Sequence, residues 1–172
     1  MIAALLLAGT APGPACAVTR PTACRDTNAL ALATGFRPML RRFFRGTRPA
    51  SLLYADGSLA EQAIDVLHGP PDVPVRRGGF FRFTACRAHS CTEKGALVMT
   101  PTGQPVAVAV VYSPCARSAP PLNCADINLL NIYTRVGATT AVVADLRRWA
   151  TAAVATQAIG RRAPVVRVIR LD

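Results

Sequence analysis

The chain has 172 residues, of which 51% are hydrophobic and 17% charged, enough apolar material for one cored domain and too much for wholesale disorder. Its formal net charge is +11, and Lys94 is the sole lysine among otherwise arginine cations, a balance that favours anionic partners such as lipid headgroups, nucleic acid or an acidic protein. It shows no paired carboxylates at acid/base spacing and no phosphate-cradling glycine loop, and two histidines are too few to suggest a triad; the chain is therefore expected not to be an enzyme and to need no cofactor.

The opening, MIAALLLAGTAPGPACA, is apolar and free of charged side chains, and ends in Ala15-Cys16-Ala17. It reads as a secretory signal over residues 1–17, cut after Ala17, although no Lys or Arg precedes the apolar run. That run is too short to span a bilayer, so no transmembrane segment is expected. Lipidation of Cys16 is disfavoured, because Gly13-Pro14-Ala15 lacks a large aliphatic residue three positions ahead. Export, to the periplasm or outside the cell, makes the six cysteines a disulfide framework first. Two local pairs suggest themselves, Cys86–Cys91 and Cys115–Cys124. A cut after Ala17 leaves Cys24 alone; a free thiol, an intermolecular bridge and a misplaced cut all remain open.

Residues 18–34 have no period and are expected to form a mobile lead-in, with a single domain over 35–172. Pro38 and Gly46 bracket a short helix that turns Met39, Leu40, Phe43 and Phe44 inward and leaves Arg41, Arg42 and Arg45 as a solvated face. Ser58 and Glu61 have capping-box spacing and predict a helix from Leu59 to His68, with a strand over 63–67 as the competing reading. His68, at that helix's end, is expected to be structural. Arg76 to Gly79 is a turn and Phe80 to Ala85 a strand. Ala96–Thr100 and Val106–Tyr112 are joined by Pro101-Thr102-Gly103-Gln104, which is hairpin chemistry. Leu129 to Arg135 is a further strand. Ala138 to Ile159 is the best helix in the chain, with Val142, Leu146, Trp149, Ala153 and Val154 on one stripe, and Val165 to Leu171 is a last strand. The sum is an α+β domain, an antiparallel sheet of about five strands flanked by helices.

Between two strands lies Cys86-Arg87-Ala88-His89-Ser90-Cys91. A structural zinc site needs four well-spaced donors, and this loop offers three with no second cluster, so no metal is expected. Redox catalysts favour Cys-x-x-Cys at a helix start, and this spacing and these flanks differ. A disulfide closing so short a loop would stabilise it by roughly 2 kcal/mol and present Arg87, Ala88, His89 and Ser90 on a rigid base. The plainer alternative is a stapled turn whose histidine is solvated and idle.

The run FRFTACRAHSCTEKGALVM, Phe81 to Met99, resembles the inhibitor of vertebrate lysozyme (Ivy) family, which carries a Cys-Lys-Pro-His-Asp-Cys loop between two strands of an exported α+β protein. The resemblance extends from about Phe36 to Tyr112. It implies a Cys86–Cys91 bridge and a His89 that enters a lysozyme cleft and hydrogen-bonds the catalytic carboxylates, with Arg87, Ala88 and Ser90 beside it. Ala88 and Ser90 stand where the family has proline and aspartate. The net charge of +11 opposes a basic lysozyme, which points to a less basic muramidase or a lytic transglycosylase as partner. The rival reading is an envelope module that binds anionic glycan or lipid through Arg41, Arg42, Arg45, Arg76 and Arg77. Nucleic acid is not expected, for want of a basic–aromatic stacking motif, and a homodimer is compatible with the sequence.

Overall fold

Valine and alanine alternate through Pro105–Tyr112, and all but the first residue of that strand are buried, because the sheet around it is covered on both faces. The computed structural model describes residues 15–50, 52–53, 57–116, 123–124, 127–157 and 163–172. In chain order the strands are β1 (Val75–Arg77), β2 (Phe80–Arg87), β3 (Ser90–Met99), β4 (Pro105–Tyr112), β5 (Cys115–Ala116), β6 (Asn123–Cys124), β7 (Leu129–Thr134) and β8 (Val165–Arg170). The helices are α1 (Thr27–Ala31), α2 (Phe36–Phe43), α3 (Leu59–Leu67) and α4 (Thr140–Ala155).

The main sheet has six strands in the order β1-β2-β3-β4-β7-β8, and β5 pairs with β6 in a separate ladder. The α+β class is as expected, but the sheet is mixed rather than antiparallel: β8 runs parallel to β7. The cause is α4, which carries the chain back across the sheet, as a parallel neighbour requires. The β3–β4 hairpin forms where the Pro101–Gln104 turn predicts it. Backbone pairing sets Cys115 opposite Cys124, but the side chains of this expected bridge lie outside the described residues.

Side chains alternate across the sheet, so β4 feeds two cores. Val108 and Val110 join Phe83, Leu97 and Met99 under α1, α2 and α3. Ala107, Ala109 and Val111 join Ile132 under Val142, Leu146, Ala150 and Val154 of α4. The small alanines let α4 approach, and Thr139 caps it by accepting from Val142 N at 3.3 Å. Arg82 of β2 ties α4 to the sheet by donating to Asp145 at 2.5 Å. In α2, Met39, Leu40 and Phe43 are buried as the pattern predicts, together with Phe36.

Two local expectations are corrected. Ser58 makes no side-chain capping bond to α3, and Glu61, which would complete the box, is engaged instead by Arg37 and Arg41, at 2.9 Å each. Buried Gln62 organises that end instead: its Oε1 accepts from Leu52 N and Leu53 N, and its Nε2 donates to Ala50 O at 2.6 Å.

Residues 18–34 are packed rather than a mobile lead-in. Leu30 and Ala31 are buried in the α1–α3 core, and Thr27 Oγ1 donates to Thr84 O at 2.7 Å, anchoring α1 on β2. Cys24 is bridged to Cys16, so a cut after Ala17 would remove half of a disulfide. The segment's start also rests on the β3–β4 turn: a Cβ on Gly103 would lie 1.9 Å from Val18 O. Among the described residues, no helix is long and apolar enough to cross a membrane.

Candidate functional site

The quoted loop is the tip of the β2–β3 hairpin. Arg87 pairs with Ser90, leaving Ala88 and His89 as a two-residue turn. The register then jumps, with Cys86 opposite Lys94, so Cys91, Thr92 and Glu93 form a bulge on β3. A disulfide joins Cys86 to Cys91 across it, with the Cα atoms 4.7 Å apart. Cys86 is buried and Cys91 exposed, so the bridge ties the outer loop to the sheet.

His89 occupies the left-handed region, φ 63°, and among the described residues it is the sole non-glycine to do so. That conformation costs a side-chain-bearing residue about 1 kcal/mol, and turns usually place glycine or asparagine there. The ring is exposed and makes no hydrogen bond, ion pair or ring contact among the described residues. Ala88 is exposed beside it and Ser90 half-buried, its Oγ 3.3 Å from Thr92 Oγ1.

Several groups hold the tip from behind. The chain leaving α3 runs along the edge of β2 beyond its pairing with β1: Cys86 N donates to Pro70 O at 3.1 Å, and Asp72 N to Thr84 O at 2.9 Å. Gly69 is pressed against the loop base so closely that a Cβ would sit 1.8 Å from Cys86 O and 2.6 Å from Ala88 N. On the other side of the bulge, Gln157 after α4 donates to Thr92 O at 2.9 Å.

Arg87, expected among the target-facing residues, is a strut. It reaches Glu93 at 2.8 Å and Asp65 of α3 at 2.9 Å, and its side chain is 30% exposed. The Glu93 hydrogen bond raises the guanidinium pKa above its ordinary value despite partial burial. Of the four expected binding residues, His89 and Ala88 form the outer surface and Ser90 flanks them, while Arg87 secures the base. The partners Asp65, Glu93, Gly69 and Gln157 were not apparent in the sequence. Only Gly69 left a signal there, a helix-terminating glycine that also permits close backbone approach.

The bridge removes both sulfurs from thiolate and metal chemistry. Among the described residues, no group of three or more His, Cys, Asp or Glu is placed to hold a metal. His68 caps α3, with its ring 6.1 Å from Phe36 in an edge-on contact.

The arginines of the glycan-or-lipid reading do not converge. Arg41 is on Glu61, Arg76 lies 5.9 Å over the Phe81 ring, and Arg77 is 3.9 Å from Asp145 at the start of the α4 side. Burial disfavours the Glu61 anion, yet hydrogen bonds from Arg41 and Arg37 outweigh it and hold the carboxyl pKa below its ordinary value. These cations are partly spoken for in separate places.

No model of a known protein family, no curated protein and no solved structure matches this chain.

Proposed function

We propose that this is an exported inhibitor of a glycan-cleaving enzyme, with the β2–β3 tip as its plug. The observation that supports the reading most is the exposed, left-handed His89 on a turn that is bridged at its base and braced by Arg87 and Gly69. A loop backbone held in this way loses little freedom on binding, so more of the contact energy of the side chain it presents appears as affinity. The imidazole would enter the cleft and hydrogen-bond the carboxylates that perform glycoside hydrolysis, blocking the site without turnover by the inhibitor.

The net charge of +11 selects among targets. A strongly basic lysozyme would be approached against repulsion, whereas a less basic muramidase or a lytic transglycosylase would not. Two disulfides are compatible with an oxidising compartment, periplasmic or extracellular.

The test is an inhibition panel of lysozymes and lytic transglycosylases with the purified protein and its His89→Ala variant. The expected outcome is inhibition of at least one enzyme, weakened more than about tenfold by His89→Ala, as for an interface hot spot. For any basic lysozyme in the panel, added salt should strengthen inhibition by screening the repulsion. An unchanged inhibition constant for His89→Ala would remove the imidazole from the mechanism.

A further inference from the structure

At the opposite edge of the sheet, away from the hairpin tip, β7 and β8 form the floor of an open cavity of about 510 Å³. That size is within the range of small-molecule sites. Its floor contains Asn131, which is 5% exposed, and Tyr133, which is 3% exposed. The Asn131 amide Nδ2 donates to the hydroxyls of Tyr112 and Tyr133, at 3.3 Å each, and its Oδ1 has no partner among the described residues. A buried amide end without a partner is uncommon, since native interiors satisfy nearly all such groups. With the amide turned over, the orphan would be the Nδ2 donor, so either orientation leaves one polar end of Asn131 without a partner among the described residues.

The two phenols carry donors as well, and of the two it is Tyr133 that lines the cavity. Both oxygens accept from Asn131, and neither hydroxyl proton is given to an acceptor among the described residues. Burial pushes the Tyr133 pKa up to about 12 and raises that of Tyr112, so both stay protonated at neutral pH.

The rim is cationic. Arg45 and Arg48, from the chain after α2, and Arg167 and Arg170 of β8 line the cavity, where Asp172 is the one acid among the described residues. All four arginines are exposed, and none forms an ion pair among the described residues. Arg37, Arg41, Arg77, Arg82, Arg87 and Arg148, by contrast, each face an aspartate or glutamate. Leu59 and Ile169 give the wall an apolar stretch that suits the C–H face of a sugar ring.

We infer that this cavity binds an acidic sugar: its carboxylate or phosphate on the guanidiniums of Arg45, Arg48 and Arg167, and a hydroxyl or amide on the Asn131–Tyr133 floor. A hydroxyl both donates and accepts, which satisfies the amide in either orientation. The guanidinium fork matches both carboxylate and phosphate. The site shares no residue with the β2–β3 tip and does not depend on its role.

Calorimetric titration of the full chain tests it with glucuronate and glucose 6-phosphate, against glucose and inorganic phosphate. At least one acidic sugar should bind about tenfold or more tightly than either control, because each control lacks half of the recognition. The stronger of the two acids identifies the anion as carboxylate or phosphate. Arg48→Gln and Arg167→Gln, both at exposed positions, should each weaken that binding and flatten its salt dependence. Asn131→Leu should reduce the acidic sugar to the level of the anion alone; should it fail to fold, the arginine variants and the control ligands still decide. His89→Ala should leave binding unchanged. No saturable binding of either acid, equal binding of inorganic phosphate, or binding indifferent to Arg48→Gln and Arg167→Gln would overturn the assignment.

Discussion

Strand β3 ends in two tight turns built in opposite ways. At Thr100–Gln104 the positive φ falls on a glycine, Gly103 at 86°, and Thr100 Oγ1 accepts from Gln104 N at 3.0 Å. That turn has a structural neighbour, the backbone of Val18, seated where a side chain would otherwise be. At Ala88–His89 the positive φ falls on a histidine, and the outer surface of the turn faces solvent. The first turn follows ordinary turn chemistry and is covered; the second departs from it and is exposed, yet it carries a disulfide and an arginine brace. Strain kept at an exposed place and supported from behind suits presentation to a partner better than packing.

That contrast can be broken most forcefully at the two glycines. Gly69→Ala and Gly103→Ala each drive a Cβ into backbone, and each should cost about 3 kcal/mol or more in denaturant unfolding, the upper range for overpacking. They should differ in function: where both variants remain folded, Gly69→Ala weakens inhibition of the target enzyme and Gly103→Ala leaves it intact. A Gly69→Ala protein with full stability would mean that the tip is not clamped as described.

Next in size is the staple. Cys86→Ser with Cys91→Ser should lower stability by about 2 kcal/mol in the chain-entropy model, with weaker inhibition from a loosened tip. Inhibition that survives reduction undiminished would argue that pre-formation of the loop is unimportant.

The smallest effect is the most discriminating. His89→Gly should raise stability by up to about 1 kcal/mol, because glycine accepts the left-handed conformation without penalty, while inhibition is lost. Loss of stability would show that the histidine side chain has a structural partner, and the contrast between the turns would disappear.

Much of the architecture was legible in local pattern. The apolar stripe of α4, the alternation in β8, the β-rich runs of β3 and β4, and the Pro101–Gln104 turn announced their elements, because local period and composition reflect which face meets the core. The stapled loop was legible in the same local way, two cysteines around a turn. What pattern could not reveal was pairing at a distance. The capping-box spacing of Ser58 and Glu61 was overridden by Arg37 and Arg41, more than a helix length away in sequence. Arg87 resembled a free binding residue until Asp65 and Glu93 were beside it. The segment before Gly35 lacked a period, yet it is held by Thr27 on Thr84 and by the Cys16–Cys24 bridge.

The amino-acid order alone determined α2, α3 and α4, most strands, the hairpin turn and the placing of His89 between two nearby cysteines, since each depends on residues within a few positions of one another. Tertiary structure decided the parallel return of β8, the bracing of the tip by α3 and Gly69, and the meeting of Asn131 with two tyrosines beside a cluster of arginines. Those arrangements join groups far apart along the chain. Their energies exist only once burial has excluded water and brought the partners within hydrogen-bond reach.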